Sequence, residues 1–417
     1  MLKYTDNFRE SIKEVAREIK VKLTFSINDE TYTITGEEIT ELNYISQTDK
    51  EIGGVVIKAL DAKLRLTDNT ALLKKDIFVQ LAYICGGECE TDTFYIDCIK
   101  EKNKVITMQA YDLLTYLSNN STVTMPLDRN VQLKEYMQKV FKSLSINGFI
   151  SSDIASPKLS VAFPKSTSLL QTFKELAIAS NSLIHFGQTG HYGAKLPLLL
   201  PQLLNQKIVG AEVNKMCFGN TVESIDSYIS YTKIDDGSNK YDEVRIPIYS
   251  PNLTTDRKVG TMKCLIPQNV SGYCPGTVEL ENTFIPSVIK INGIIEVDSI
   301  SIGNNTCALY FNNSSALAKE IEAEIYGSSI ENTSILDTST DNTSKVKVVN
   351  NMYIQSAAVY DSKIYKANDI EISYFGNPLI EVGDTISIDG MNVLVLEHTL
   401  KFTGGLRGTI KGAIEWT

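Results

Sequence analysis

Three histidines, His185, His191 and His398, are the side chains of this 417-residue chain that titrate closest to neutrality, and a metal or general-base site would start from them. A turn separates His185 from His191, and His398 lies far downstream. No spacing supplies the further partners that a zinc set or a Ser-His-Asp site needs. The seven cysteines, Cys85, Cys89, Cys98, Cys217, Cys264, Cys274 and Cys307, include no Cys-x-x-Cys pair. Cys85 and Cys89 lack a second pair or a nearby histidine, so all seven read as reduced thiols. Tyr95, Asp97 and Tyr111 have the chemistry of an acid/base trio, but alternation along a strand puts Tyr95 and Asp97 opposite Phe94 and Ile96, on the face where surface polar groups belong. Gly404, Gly405 and Gly408 are dense enough for a phosphate-cradling loop. No helix follows them, so they read as turns and close backbone approaches in a small closed sheet. No catalytic, cofactor-binding or metal residue is assigned.

Charged residues at 22% and hydrophobic ones at 43% describe a folded chain, and the length implies several domains. A net charge of -10 with no basic cluster argues against nucleic-acid binding. Arginine stands only at positions 9, 17, 65, 129, 245, 257 and 407, so bidentate phosphate clamps are scarce. The N-terminus has no signal-peptide pattern. The longest apolar run, Leu196 to Leu204, is broken by Pro197 and Pro201 and falls short of the ~20 residues of a membrane span. Synthesis in the cytoplasm and no membrane span are expected.

The elements that must position these residues are mostly strands. Thr5 or Asp6 caps a helix carrying Phe8, Ile12, Val15 and Ile19 on one face. Lys20 to Ile27 and Thr31 to Ile34 form a hairpin, and strands are expected at Ile39 to Tyr44, Gly54 to Ile57, Ala62 to Leu66 and Ile77 to Tyr83. Thr93 to Lys100 and Val105 to Asp112 form another hairpin around a polar turn. Short strands at this spacing mean a sandwich or barrel. Helical spacing then joins Val131, Met137, Val140, Phe141 and Leu144, stopped by Asn147-Gly148. A second helix opens with Ser168 and Gln171 as a capping box and buries Leu169, Phe173, Leu176 and Ala177. Ser182 to Phe186 and Val222 to Lys233 read as strands, as do Val288 to Ile291, Ile294 to Ile302, Ala308 to Phe311 and Ile321 to Tyr326. Ser328 to Ser344 is polar and reads as an exposed loop. Tyr353, Ala357, Tyr360 and Ile364 mark a helix.

At the C-terminus, Pro378 closes the strand Ile370 to Phe375, because proline cannot donate to a ladder. Thr385 to Ile388, the turn Asp389-Gly390 and Met391 to Leu396 form one hairpin. Glu397 to Phe402, Thr403-Gly404-Gly405 and the return strand form a second, with Gly408, Ile410, Gly412, Ile414 and Trp416 on one face. Lys75 to Val79 echoes Gly383 to Ser387, and the strands that follow end at Asp112 and Glu415. The echo suggests two copies of one unit.

Two stretches carry a family resemblance. The run Gly376-Asn377-Pro378-Leu379-Ile380-Glu381-Val382-Gly383-Asp384 with its two closing hairpins resembles the C-terminal end of phage tail hub proteins. Thr93-Phe94-Tyr95-Ile96-Asp97, a charged turn and a strand ending Ala110-Tyr111-Asp112 resemble that family's first barrel. The small α/β part also resembles the family's insertion, though Ala179-Ser180-Asn181-Ser182 replaces a glycine-rich helix end. The fold this implies is mainly β with an α/β insertion: two tail-tube-like β-barrels plus inserted small domains. Residues 1–120 make the first barrel, 121–215 the α/β domain, 216–240 the link, 241–345 a β-rich insertion and 346–417 the second barrel.

The resemblance implies a structural baseplate hub in a virion, without cofactors. It implies a homotrimer that joins the hexameric tail tube protein to the trimeric central spike protein, with other baseplate proteins and the tape measure protein as neighbours. Phage DNA would pass through its channel without specific binding. A cell-wall-degrading tail enzyme is the rival from another class, but no paired carboxylates, Cys/His set or His-x-x-x-Asp stands out, and the chain ends with its last strand. A receptor-binding tail-tip protein is a second rival, and one tryptophan gives it little aromatic platform.

Overall fold

In Lys20–Ile27 alternate residues Val21, Leu23 and Phe25 are buried, as a half-covered strand requires. The same logic builds most of the chain. The computed structural model describes residues 3–14, 16–28, 30–48, 53–120, 128–144, 146–154, 156, 158–161, 168–188, 209–234, 243–245, 248–251, 257–280, 284–292, 295–302, 306–333, 346–348, 364 and 367–415. His191, Trp416, the Leu196 to Leu204 run and the helix expected up to Ile364, apart from Ile364 itself, lie outside them.

The first sheet unit contains β1 (Lys3–Tyr4), helix α1 (Asp6–Ser11), β2 (Lys20–Ile27), β3 (Glu30–Thr35), β4 (Ile39–Gln47), β5 (Gly54–Arg65), β6 (Phe78–Ile84), β7 (Glu88–Lys102) and β8 (Val105–Tyr111). Its ladder runs β3-β2-β6-β7-β8-β5-β4. The two ends of this row, β3 and β4, are joined through a short turn at Gly36–Glu38, so the sheet curls around a core that includes Phe25, Tyr83 and Phe94. Thr5 caps α1, whose last turn ends near Ile12 rather than continuing to Ile19, which is buried just before β2. Gly54 to Arg65 is one strand, where two were expected. Lys58 interrupts its apolar run yet is buried.

After helix α2 (Leu113–Asn120) come β9 (Asp128–Gln132), α3 (Leu133–Ser143), β10 (Asn147–Ile150), β11 (Lys158–Val161), α4 (Leu169–Ser180), β12 (Ser182–Gln188) and β13 (Val209–Lys215). Val131 lies on β9 instead of the helix, and Asn147-Gly148 opens β10. Ser168 caps α4 by accepting from the Gln171 amide, but the Gln171 side chain bonds Glu175 rather than completing a capping box. The ladder β10-β13-β12 continues into β5 through a parallel pairing of Leu183–His185 with Gly54–Val56.

Val222 to Lys233 is two strands, β14 (Thr221–Ser224) and β15 (Tyr228–Ile234). An inserted β part follows: β16 (Glu243–Arg245), β17 (Ile248–Pro251), β18 (Arg257–Ile266), β19 (Val270–Tyr273), β20 (Thr277–Glu279), β21 (Phe284–Asn292), β22 (Glu296–Ile302), β23 (Thr306–Asn313), β24 (Lys319–Thr333) and β25 (Val346–Val348). Residues 328–333, expected in a loop, extend β24, and 334–344 lie outside the described residues. The C-terminal unit adds β26 (Asn368–Phe375), β27 (Thr385–Ile388), β28 (Met391–Phe402) and β29 (Leu406–Ile414). Met391 to Phe402 is continuous, with a register shift between Val395 and Glu397.

The second unit's ladder runs β14-β27-β28-β29-β26-β15. Its end strands, β14 and β15, are again neighbours in the chain. In chain order β4, β5, β6, β7 and β8 match β15, β26, β27, β28 and β29 with the same antiparallel pairings, while β14, at the chain position of β3, pairs directly with β27 where β3 reaches β6 only through β2. Strands β1 and β2 have no counterpart among the described residues of the second unit. Asp76 donates to the Ile96 carbonyl and the Ile96 amide to Ile77, just as Gly383 donates to Val395 and Val395 to Asp384. Both long strands shift register one residue later, at Asp97 and at Leu396. The echo seen in the sequence is thus a structural duplication, displaced by one residue: Asp76, at φ 72, matches Gly383, at φ 95. Pairing of β4 with β28 fuses the units, and the β12–β5 pairing adds the α/β strands to make one 17-stranded sheet.

Candidate functional site

The residues singled out in the sequence fall in three places. Asp112 ends β8 and caps α2: its Oδ1 accepts from the Thr115 amide and hydroxyl, both at 2.9 Å, while Oδ2 accepts from the Lys58 amide at 2.9 Å. One carboxylate thus stops a strand, starts a helix and holds β5, which explains why an acidic residue stands there. Tyr111 pairs with Ala59 and with Tyr95 in the ladder, and Ala110, beside it, is buried. Phe94 meets Tyr44 edge-on at 6.1 Å, and Thr93 lies opposite Gln80.

Tyr95 is a correction. It is 6% exposed, not on a solvated face, because α2 covers that side of β7: Tyr95 packs on Tyr116 at 4.7 Å and Phe78 at 5.7 Å, and its hydroxyl donates to Asp76. Asp97, at the register shift, is half-buried and lies 3.7 Å from Lys75. Tyr95 and Asp97 therefore serve different neighbours, and no acid/base trio forms with Tyr111.

In the second motif, Gly376 approaches Leu400 and the Arg407 backbone too closely for a Cβ, at 2.8 and 2.9 Å. Asn377 accepts from the Leu379 amide at 3.0 Å, an Asx turn around the buried Pro378. Tyr374 and His398 lock this turn. The His398 Nδ1 lies 2.9 Å from the Ile380 carbonyl, which can only accept, so Nδ1 carries the proton and Nε2 accepts from the Tyr374 hydroxyl at 2.9 Å. That hydroxyl accepts in turn from the Asn377 amide at 3.1 Å. Burial pushes His398 down to about 4, so the ring is neutral and enclosed. Gly408 gives room for the Tyr374 ring, since a Cβ there would sit 2.2 Å from it. Gly404, at φ 88, makes the hairpin turn and Gly405 follows it.

Sequence reasoning missed Lys58, the residue that ties the motifs together. Its ammonium bonds Asp92 at 2.8 Å, with side chains 5% and 9% exposed, and Tyr44 lies 3.5 Å from the same carboxylate. Lysine within Val55-Val56-Ile57-Lys58-Ala59-Leu60 was the available signal, a cation in an apolar run. The second motif's Glu381 faces this pair: burial raises its carboxyl's pKa, opposed by Lys58. Asp384, which accepts from the Glu381 amide at 2.8 Å, is pushed up to about 7 by burial, with Glu381 and Glu223 adding to the rise. From the α/β sheet comes His185, pushed down to about 3 by burial and by Lys58. Gly383 brings this corner to Leu183, where a Cβ would meet Cδ1 at 2.7 Å.

The node joins both units and the α/β part of the sheet, with Lys58 and Asp92 out of solvent and Glu381, Asp384 and His185 half-buried. Lys58 is paired and enclosed, and burial keeps His185 and His398 neutral. Among the described residues no three His, Cys, Asp or Glu side chains converge as metal ligands would, and no helix is long and apolar enough to cross a membrane. Cys85 and Cys89 are buried in the first core, where burial raises the Cys89 thiol.

No family model matches the chain, and no curated protein does. Solved structures similar to it include the 43 kDa tail protein of prophage MuSo2 from Shewanella oneidensis, 11% identical, covering 96% of this chain and 98% of that one at a TM-score of 0.47. A tail protein from Neisseria meningitidis is 8% identical over 95% and 96% of the two chains at 0.43. Prophage tail protein gp18 from Listeria monocytogenes is 8% identical over 94% of each at 0.42. All three are tail proteins.

Proposed function

We propose that the chain is the structural hub of a phage tail or phage-tail-like contractile particle. In this reading it is a homotrimer that joins the hexameric tail tube to the trimeric central spike and forms part of the central channel. The observation that carries it is the duplication: five strands recur in order with the same pairings and the same register shift, and each copy bears one of the two stretches that resemble tail hubs. Three chains with two like units each present six similar positions to a sixfold tube. Edges suited to such pairing support it. Among the described residues β3 pairs only with β2 and β15 only with β26, and β15 holds Tyr228, Ile229 and Ile234 in solvent. Closing a ring is a way to cover such edges.

Within that assembly the tube, spike, tape measure and other baseplate proteins are the partners, and DNA passes without specific binding. The site of action is the virion baseplate, after synthesis in the host cytoplasm. Cryo-electron microscopy of assembled particles is expected to show three copies per ring, with both units facing the tube. Six copies, or one unit facing it, would overturn the reading. The role is non-enzymatic: purified protein is expected to release no fragments from peptidoglycan, and release abolished by His185→Ala or Asp112→Asn would favour the enzyme instead.

A further inference from the structure

The outer ends of β4, β28, β29 and β26 carry one row across the sheet: Asn43 lies opposite Lys401, Lys401 opposite Arg407, and Arg407 opposite Phe375. Lys401 and Arg407 are directly cross-strand, where like charges repel. On the same face of the same two strands, Glu397 and Lys411 are also directly opposite and bond at 3.0 Å, so this sheet elsewhere matches its charges. Arg407 has no ion-pair partner among the described residues. Lys401 has only Glu41, at 3.6 Å, which is already bonded to Lys63 at 2.7 Å.

A cleft of about 890 Å³ opens beside this row, between residues 16–19 and the hairpin 403–407. Arg17 lines it, with its guanidinium on the Gly376 carbonyl at 2.6 Å, and Phe375 stands 44% exposed within it. Gly405 is at its lip. The other glycines of this region are accounted for inside the chain: Gly383, Gly390 and Gly404 by positive φ, Gly376, Gly408 and Gly412 by atoms closer than a Cβ permits. Gly405 has neither constraint, and a Cβ there would meet nothing within 4 Å. A glycine with no internal requirement, next to an open cleft, fits close approach of another backbone.

We infer that this cleft docks an extended, acidic segment of a partner protein, its carboxylates between Lys401 and Arg407, an apolar side chain on Phe375 and its backbone over Gly405. An incoming carboxylate relieves the cation repulsion that the free chain leaves standing. The occupant is a peptide and not nucleic acid, because the cations are few and confined to one cleft that also contains Glu18, whereas a phosphate backbone calls for an extended basic track. The inference does not depend on the hub reading.

The test uses the full-length protein and fluorescence anisotropy at low salt. The probe is a labelled oligoglutamate with one central phenylalanine, and the control is a labelled oligothymidylate of equal charge. The peptide is expected to bind better than the oligothymidylate. Arg407→Glu is expected to weaken it about tenfold, and Gly405→Val to weaken it while leaving the melting temperature intact. Lys401→Glu is expected to abolish peptide binding. Equal peptide affinity in Arg407→Glu, no effect of Gly405→Val, or tighter binding of the oligothymidylate would overturn the inference.

Discussion

The two sheet units share the pairings of five strands and a register shift, yet they fill one equivalent corner with opposite chemistry. In the first unit, Leu64 lies opposite Ile106 and Ile99 opposite Met108, an apolar set. The matching pairs in the second are Tyr374 opposite Gly408 and His398 opposite Ile410. Two medium side chains have become one large ring and one absent side chain. The hydroxyl this introduces reaches His398 and Asn377, and with them the turn at 376–380. Backbone topology is therefore indifferent to which set fills the corner. The second set adds a polar lock for a turn that joins β26 to β27, where the first unit uses the longer stretch 66–77 and its Thr67–Thr70 bonds.

A second contrast sits at the opposite end of the same two ladders. Lys58 and Asp112 of the first unit correspond to Asn368 and Ile414 of the second. The first unit there carries the Lys58 node; the second has an Asn368 Oδ1 with no hydrogen-bond partner. The largest expected effect tests this difference. Lys58→Ala strands Asp92 without its cation and is expected to cost about 3–5 kcal/mol, whereas Lys58→Met with Asp92→Leu recovers most of the loss. Asn368→Ala is expected to cost far less. Chemical denaturation of the three variants checks this, and equal losses at positions 58 and 368 would show that the node is not special to the first unit.

The corner itself supplies the next effect. Gly408→Ile, the residue of the first unit, drives a side chain into the Tyr374 ring and is expected to destabilise by about 1–3 kcal/mol. Adding Tyr374→Leu restores the first unit's packing and is expected to regain most of that, while loosening the 376–380 turn to hydrogen exchange. If the double variant is no better than the single one, the two corners are not interchangeable.

Much of this comparison was legible in the sequence. The alternation over 406–414, the Asp389-Gly390 turn and the polar turn at 101–104 fixed both closing hairpins, because those strands cover a core on one face only. The echo pointed to duplication, although it aligned Asp76 with Asp384 when their backbone roles differ by one residue. Strands buried on both faces were harder. Around Tyr95, α2 covers the side that alternation assigned to solvent. In β5, Lys58 sits at a junction whose partners Asp92, Glu381 and His185 come from distant segments, so nothing local marks it as buried. Val222 to Lys233 looked like one strand because periodicity does not register the break at 225–227, where the chain passes between opposite ends of the ladder.

The smallest expected effect concerns protonation and separates the two corners without changing packing volume much. His398 has its proton affinity depressed from 6.5 to about 4, so the unfolded chain takes the proton first. The stability this lends is complete above pH 6.5 and is lost as the pH falls towards 4, at about 1.4 kcal/mol per unit. Ile99, at the matching position of the first unit, does not titrate. Asp384 acts in the other direction: with its pKa raised from 3.8 to about 7, its contribution is present at low pH and lost as the pH rises through 7. His185, lowered to about 3, adds to the acid loss. Wild-type behaviour alone therefore mixes opposing groups. His398→Asn isolates one of them, since its amide can still donate to the Ile380 carbonyl but does not titrate. Over the first pH unit below 6.5, wild type is expected to lose about 1 kcal/mol more than His398→Asn. Denaturation curves at the two pH values measure the difference. Equal losses would mean that His398 is already protonated, that its bond to Tyr374 runs the other way, and that the lock on the second unit's turn is an ionic one.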